Sequence, residues 1–170
     1  MIRAAVVTVS DSAHLGTRDD KSGPAVAERL SQSGFRVSKT CIIPDERALI
    51  SRTLREISDT GAASAIFTTG GTGVAPRDVT PEATRDVIER EIPGLSESMR
   101  MKGLASTPYA ALSRAVVGIR GGALIVNLPG SPRGALQSLD AILELVPHVL
   151  DLIEGRTDHV ASEIAEAGIE

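Results

Sequence analysis

The sequence predicts a three-layer α/β/α fold, in which helices cover both faces of a mostly parallel, mixed sheet. From residue 4 onward, short β-branched strands alternate with amphipathic helices, and this order is typical of a parallel sheet covered on both faces. Two later strands, Val116–Ile119 and Ala123–Leu128, are joined by a turn that contains two glycines, which predicts a hairpin and therefore a mixed sheet. A chain of 170 residues is long enough for one domain with a sizeable core.

The first half of the chain is predicted to contain three strands and two helices. Each strand is a short run of β-branched and apolar residues, which ends where a polar or glycine-rich segment cannot continue it. Each helix begins at a turn that contains proline, repeats apolar side chains at helical spacing and ends at a Ser-Gly or Thr-Gly pair. In order, the elements are a strand Ala4–Val9, a helix from Gly23 to Ser33, a strand Arg36–Ile43, a helix from Pro44 to Thr60 and a strand Ala63–Thr68.

The second half is predicted to be mainly helical around the hairpin. Thr80 as N-cap and Pro81 in the first turn form a strong helix start, and we expect this helix to reach about Glu91. A second helical segment covers residues 95–104, and a long helix with a wide apolar stripe covers residues 134–154, where Pro147 should kink it. We expect a single domain over residues 1–157 and an acidic, loosely held tail over residues 158–170.

Composition argues against several classes of function. The net charge is −4 and there are two Phe, one Tyr and no Trp, so the chain lacks both the basic face and the aromatic platforms that nucleic-acid binding requires. The N-terminus shows no cleavable signal and no apolar run approaches the ~20 residues that cross a bilayer, so we expect a cytoplasmic protein without membrane contact. Cys41 is expected to be a buried small hydrophobe, and the scattered histidines predict no zinc site.

Four polar loops follow the predicted strands and should meet at one rim of the sheet, where open α/β folds bind ligands. In the third loop, Gly70, Gly71 and Gly73 let backbone N–H groups approach a ligand without a Cβ, which suits phosphate oxygens. The pattern is neither a P-loop nor Gly-x-Gly-x-x-Gly. From spacing alone, a phosphate cradle and an ordinary strand-to-helix turn are equally good interpretations.

Three of these loops also carry aspartates, Asp20, Asp45 and Asp78. Carboxylates and phosphates repel one another, and Mg²⁺ between them removes the conflict, because this ion prefers carboxylates together with substrate phosphates. Taken singly, each aspartate is better explained as a helix cap or a turn residue. Of the five cations near the loops, we expect only Arg77 and Lys21 to face the site.

Seven short segments carry a resemblance to a known family. They are Thr-Val-Ser-Asp-Ser (8–12), Asp-Lys-Ser-Gly-Pro (20–24), Ile-Pro-Asp-Glu (43–46), Thr-Thr-Gly-Gly-Thr-Gly with Pro-Arg-Asp-Val-Thr-Pro-Glu-Ala (68–83), Pro-Gly-Leu (93–95), Leu-Ser-Arg (112–114) and Asn-Leu-Pro-Gly-Ser-Pro (127–132). In this order they resemble the MogA/MoaB family of molybdenum-cofactor biosynthesis, over residues 1 to about 155. Each segment is a weak signal, whereas seven in register are specific.

The resemblance implies a three-layer α/β fold, usually trimeric with hexameric members, that adenylates molybdopterin with Mg²⁺ and ATP and releases pyrophosphate. It implies catalysis by Asp45 and Asp78, a metal held by these two residues and Asp20, and a downstream molybdate-inserting enzyme as a further partner. The residues that it assigns to nucleotide and pterin binding are Ser10, Asp11, Ser22, Gly23, Thr69, Gly70, Gly71, Thr72, Gly73, Pro129, Gly130, Ser131 and Pro132.

Two features keep alternatives open. Gly103 stands where relatives often have Ser, so one hydroxyl contact to the substrate is missing, and the length matches the MoaB-type group, which includes members thought to be inactive. The presence of both Asp45 and Asp78 favours activity. The alternatives are a non-catalytic molybdopterin-binding or scaffold protein and a nucleotide hydrolase.

Overall fold

The computed structural model describes residues 1–156, which contain a six-stranded sheet. The strands are β1 (Arg3–Val9), β2 (Arg36–Ile43), β3 (Ala65–Thr69), β4 (Arg90–Glu91), β5 (Val117–Arg120) and β6 (Ala123–Leu128). Their order is β2-β1-β3-β6-β5-β4, and β2, β1, β3 and β6 are parallel. Because β5 runs antiparallel to both β6 and β4, the predicted hairpin and the mixed sheet are confirmed.

Within the described residues, helices and two short 3₁₀ turns lie between these strands and after the last of them. The 3₁₀ turns are Pro108–Leu112 and Leu143–Leu145. The helices are α1 (Asp11–His14), α2 (Ser22–Gln32), α3 (Arg47–Asp59), α4 (Thr80–Arg85), α5 (Pro93–Leu104), α6 (Pro132–Ile142) and α7 (Val146–Ile153).

Alternate side chains of the central strands enter two separate cores. On one face, Ala4 and Val6 of β1 pack in a cluster with apolar residues of α2, α5, α6 and α7. On the other face, Ala5 and Val7 pack in a cluster with apolar residues of α3 and α4. This period of two is what a strand buried on both sides requires, and it gives the three layers that the sequence predicts.

The helix that begins at Thr80 is shorter than predicted. It ends at Arg85 instead of near Glu91, and the following residues lie along the edge strand β5. The N–H groups of Glu89 and Ile92 each donate to a β5 carbonyl at 2.7 Å. Pairing with the sheet therefore replaces the last turns of the expected helix, and the proline after Ile92 also disfavours helical backbone at that residue.

The expected long C-terminal helix is divided into α6, a 3₁₀ turn and α7, with Pro147 in the first turn of α7. The proline ring cannot donate to the carbonyl four residues earlier, at Leu143, so the break falls one turn before the proline. The predicted acidic tail, residues 158–170, lies outside the described residues.

Two other features of the described residues bear on function. Within residues 1–156, no helix is both long enough and apolar enough to cross a bilayer. Cys41 lies on the edge strand β2 and is half-buried instead of fully buried, and burial raises the pKa of its thiol. A thiol with a raised pKa is a poor nucleophile at neutral pH.

Candidate active site

A cavity of about 630 Å³ opens at the carboxyl ends of the parallel strands, which is the usual ligand site of an open α/β sheet. It brings together all three predicted aspartates and most of the predicted loop residues. The predicted residues that line it are Ser10, Asp20, Ser22, Asp45, Thr69, Gly70, Gly71, Asp78, Gly130, Ser131 and Pro132.

The glycine loop, residues 69–80, follows β3 and is tied down at its start. Gly70 and Gly71 have positive φ angles of 104° and 65°. The Thr80 hydroxyl donates to the Gly70 carbonyl at 2.9 Å, and the Thr80 N–H donates to the Gly71 carbonyl at 3.0 Å. Thr80 therefore holds the loop, whereas the sequence predicted it to be a helix cap; the N-cap position is Val79.

Not all N–H groups of the predicted phosphate cradle are available to a ligand in the structure. The Gly70 N–H donates to the Leu128 carbonyl at 3.1 Å, so this group is already engaged within the protein. Within residues 1–156, the N–H groups of Gly71, Thr72 and Gly73 donate to no acceptor. Three consecutive N–H groups of this kind can hold the oxygens of an anion.

Asp45 and Asp78 each lie directly against a glycine of this loop. A Cβ on Gly71 would lie 3.0 Å from Oδ1 of Asp45, and one on Gly73 would lie 2.8 Å from Oδ2 of Asp78. Oδ2 of Asp45 accepts the Asp11 N–H at 2.8 Å, and Oδ2 of Asp78 accepts the N–H of residue 75 at 2.9 Å. In the described chain the second oxygen of each carboxylate accepts no hydrogen bond, so each retains capacity for a cation.

Negative charge is concentrated around Asp45. Burial raises the pKa of its carboxyl, and the negative charges of Asp11 and Asp78 add to the rise, while the Asp11 N–H and Arg77 oppose it. The ionised form is therefore disfavoured, although the carboxyl lies in a polar cavity. A cation next to Asp45 and Asp78 would relieve this repulsion.

Asp11 and Arg77 support the site instead of lining its cavity. Arg77 donates to both carboxylate oxygens of Asp11, at 2.5 and 3.0 Å, and these hydrogen bonds lower the pKa of Asp11. Oδ1 of Asp11 also accepts the Asp45 N–H at 3.0 Å. Asp11 was predicted to contact the ligand, and Arg77 to face the site; in the structure these two side chains bind one another, and Asp11 also binds the Asp45 main chain. Lys21 lines the cavity, as does Arg18, which sequence reasoning missed.

Asp20 lies on another wall of the cavity, where it organises the start of α2. It accepts hydrogen bonds from the Thr8 hydroxyl at 2.6 Å, the Gly23 N–H at 2.9 Å and the Ser22 hydroxyl at 3.3 Å. A Cβ on Gly23 would lie within 2.4 Å of both Thr8 and Asp20, so only glycine fits there.

No group of three His, Cys, Asp or Glu side chains within residues 1–156 is arranged to hold a metal ion. The predicted trio of Asp20, Asp45 and Asp78 thus lines one cavity without converging on one point. Asp45 and Asp78 still fit Mg²⁺, because this ion takes one or two carboxylates and completes its shell with substrate phosphates and water.

A second cavity of about 390 Å³ adjoins the first and shares Gly71, Asp78, Gly130 and Ser131 with it. Thr72, Gly73 and Pro129 also line it, and its outer wall comes from α5 and the 3₁₀ turn that follows. The wall residues include Met99, Arg100, Gly103, Tyr109, Ala110 and Leu112. Of this wall, the sequence indicated only Gly103 as a position of substrate contact; one of the resembling segments, residues 112–114, contributes Leu112.

The close packing of Ala110 explains why position 103 of this wall is a glycine. A Cβ at position 103 would lie 2.7 Å from the Ala110 methyl carbon, so the Ser that relatives often have does not fit without movement of the 3₁₀ turn. At the opposite side of both cavities, the Ser131 hydroxyl accepts the Gly134 N–H at 3.1 Å and caps α6.

Comparisons with known proteins agree with the resemblance seen in the sequence. A family described as "Probable molybdopterin binding domain" matches residues 5–148. The molybdopterin adenylyltransferase of Helicobacter pylori strain J99 is 42% identical over 156 residues, which are 91% of this chain and 89% of that protein. The crystal structure of the molybdopterin biosynthesis enzyme MoaB from Thermus thermophilus has a TM-score of 0.86 and 50% identity, and the match covers 91% of this chain and 98% of that one.

A longer relative contains the same unit. The molybdenum cofactor synthesis protein cinnamon of Drosophila melanogaster is 42% identical over 150 residues, which are 87% of this chain. The chain spans only 25% of that protein's length.

Proposed function

Because this chain belongs to the MogA/MoaB family of molybdopterin binding domains, we propose that it is a molybdopterin adenylyltransferase, which forms adenylyl-molybdopterin and pyrophosphate from molybdopterin and Mg·ATP. One observation carries the proposal. A polar cavity and a more apolar cavity meet at Gly71 and Asp78, so two substrates can lie side by side with their phosphates at the junction. Sites for small molecules commonly combine an apolar wall with a few placed polar groups.

The reaction needs positioning more than it needs a strong base. A terminal phosphate oxygen of molybdopterin attacks the α-phosphorus of ATP, the bond from this phosphorus to the bridging oxygen breaks, and pyrophosphate leaves. The nucleophile is already an anion at neutral pH, so the protein has to align the two phosphates and compensate their charge. The N–H groups of Gly71, Thr72 and Gly73 are suited to hold anionic oxygens, and Lys21 and Arg18 add positive charge to the same cavity.

Asp45 and Asp78 would hold Mg²⁺, which supplies charge screening between phosphates that approach one another. Each of them has one carboxylate oxygen that accepts no hydrogen bond within residues 1–156, which supports this role. Asp20 takes part less directly, since it is hydrogen-bonded to Thr8 and to the start of α2.

The proposal is tested by measuring pyrophosphate release from Mg·ATP with and without molybdopterin. We expect release only when both substrates are present. Tight binding of molybdopterin without release would identify a carrier or scaffold, and release without molybdopterin would identify a nucleotide hydrolase; either result rejects the proposal.

The Asp78→Asn variant sharpens this test. It should bind both substrates and lower turnover by about 100-fold or more, the usual effect of losing one electrostatic stabiliser of the transition state. Asp140→Asn is a suitable control, because Asp140 pairs with Arg29 at 2.7 Å on the surface of α6 and lines neither cavity. Full turnover in Asp78→Asn would remove Asp78 from the mechanism.

We also propose that residues 1–157 act as one cytoplasmic domain that assembles as a homotrimer, with a hexamer as the alternative, and that it passes its product to a molybdate-inserting enzyme. Two leucines of the last helical segments, Leu145 and Leu152, are 47% and 44% exposed. Exposed apolar side chains of this kind support association through these segments. Light scattering coupled to size-exclusion chromatography measures the assembly, and a monomer at micromolar concentration would reject it.

A further inference from the structure

The glycine loop contains little that can fix its own shape. Gly70, Gly71 and Gly73 carry no side chain, and glycine loses more backbone freedom on ordering than any other residue. Thr80 fixes the first two glycines, as described above. In the segment that follows, residue 75 and Asp78 hydrogen-bond one another and Arg77 binds Asp11, but these contacts do not involve residues 72 and 73.

Arg114, just before β5, hydrogen-bonds both of these residues. Its N–H donates to the Thr72 carbonyl at 2.9 Å, its Nε to the Gly73 carbonyl at 2.7 Å and its Nη2 to the Asp78 carbonyl at 2.6 Å. The same guanidinium also pairs with the carboxylate of Glu82 in the first turn of α4. One side chain therefore connects both ends of the segment to the helix that follows it.

The chemistry of arginine suits this task. Its planar guanidinium offers donors in a fixed fork, whereas the lysine ammonium is a single point charge and cannot reach three separated acceptors. Glu82 stays ionised to receive it: burial opposes ionisation, but the hydrogen bond from Arg114 keeps the pKa of Glu82 below its ordinary value. Arg114 lines neither cavity, so its contacts act on the loop and not on a substrate.

We propose that Arg114 is a positioning residue, which holds the Gly71–Gly73 N–H groups and Asp78 at a fixed separation from each other. The expected effect of Arg114 on turnover rests on the proposed adenylyl transfer. Its expected effect on the order of the loop does not. The sequence favoured Arg77 and Lys21 as functional cations, whereas Arg114 hydrogen-bonds the carbonyls of Thr72, Gly73 and Asp78.

The first test compares Arg114→Lys with Arg120→Lys. Arg120 is a matched control, because it also pairs in a bidentate manner with a carboxylate, Asp59, at 2.8 and 2.9 Å, and donates to the Val87 carbonyl at 3.1 Å, away from both cavities. We expect Arg114→Lys to lower kcat by about 10- to 100-fold, the usual effect of losing a group that orients a functional side chain. Arg120→Lys should retain the wild-type kcat, and unchanged kcat in Arg114→Lys would overturn the proposal.

A double-mutant cycle then shows whether Arg114 acts through Asp78. If it does, Asp78→Asn should lower kcat by a much smaller factor in the Arg114→Lys background than in the wild-type protein, since the misplaced carboxylate has already lost its effect. If the two losses multiply fully, Arg114 acts independently of Asp78 and the proposal is wrong.

Hydrogen exchange gives an answer that does not depend on turnover. The hydrogen-bonded amides of the loop, those of Ala75, Asp78 and Thr80, should exchange about tenfold faster or more in Arg114→Lys, the effect of losing a hydrogen bond to a charged group, and should be unchanged in Arg120→Lys. If the wild-type protein releases no pyrophosphate, the proposed function fails, and this measurement alone decides whether Arg114 holds the loop. Equal exchange in both variants and in the wild-type protein would overturn its role.

Discussion

Replacement of Gly71 by alanine tests how tightly the glycine loop packs against the site. The φ angle of Gly71 is +65°, and an added Cβ would lie 2.3 Å from the Thr80 hydroxyl and 3.0 Å from Asp45. Gly61 has a φ angle of +64°, but a Cβ there would meet no atom within 4 Å. The two alanine variants therefore share the same backbone strain, and only Gly71→Ala adds a steric contact.

The expected destabilisation follows from these two contributions. Alanine in the left-handed region costs about 1–2 kcal/mol, of which ~0.4–1 kcal/mol is recovered because the unfolded chain is less flexible, so Gly61→Ala should lose about 1 kcal/mol. In Gly71→Ala the Thr80 hydroxyl must also move away from the buried Gly70 carbonyl, and an unsatisfied acceptor costs about 1–3 kcal/mol. Gly71→Ala should therefore lose about 2–4 kcal/mol in total.

Urea unfolding at one fixed protein concentration measures both variants, because concentration affects the apparent stability of an oligomer. We expect a lower midpoint for Gly71→Ala than for Gly61→Ala, with similar slopes. Turnover should fall in Gly71→Ala, where the loop and Asp45 shift, and should be retained in Gly61→Ala. Equal midpoints for the two variants would refute the contact between the loop and Thr80.

Two further substitutions probe the walls of the site. Asp45→Asn should lower turnover by about 100-fold and raise the melting temperature at pH 7, because burial raises the pKa of Asp45, so that ionisation of this carboxyl is less favourable in the folded state than in the unfolded state. The wild-type protein regains this stability as the pH falls through the raised pKa, so the gain should shrink towards acid pH, and a gain independent of pH would contradict the reasoning. Gly103→Ser should destabilise the protein by about 1–3 kcal/mol through overpacking against Ala110 and raise the KM for molybdopterin. The additional change Ala110→Gly should restore that KM, and failure of this rescue would show that the contact is not the cause.

The layers and strands could be predicted because local sequence encodes them. The strand β2, Arg36–Ile43, was predicted with its observed bounds, since a β-branched run lies between a glycine turn and a proline. The end of α4 could not be predicted, because residues 89–92 pair with β5, and pairing with a distant strand overrode local helix propensity. The interruption of the C-terminal helix, by contrast, was predicted from Pro147, because the effect of proline on the carbonyl four residues earlier is local.

The location of the site was also predictable from the sequence, whereas the hydrogen-bond partners of its side chains were not. Asp45, Asp78 and the glycines were expected at one rim because parallel strands end on the same side of a sheet. The contacts of Asp11 with Arg77 and with the Asp45 N–H could not be predicted, because they join residues that are far apart in the sequence. Arg114 was missed as a loop-holding group because its acceptors include main-chain carbonyls, and a carbonyl leaves no signature in the sequence.

The absence of side chains in the glycine loop has two consequences for the site. The N–H groups of residues 71–73 have no acceptor in the described chain and can receive anionic oxygens. The carboxylates of Asp45 and Asp78 lie so close to Gly71 and Gly73 that a Cβ on either glycine would press against them. A phosphate cradle alone would require glycine only where the ligand approaches. The neighbouring carboxylates of Asp45 and Asp78 add a second requirement, so an alanine at position 71 or 73 acts on the acidic groups as well as on the bound anion.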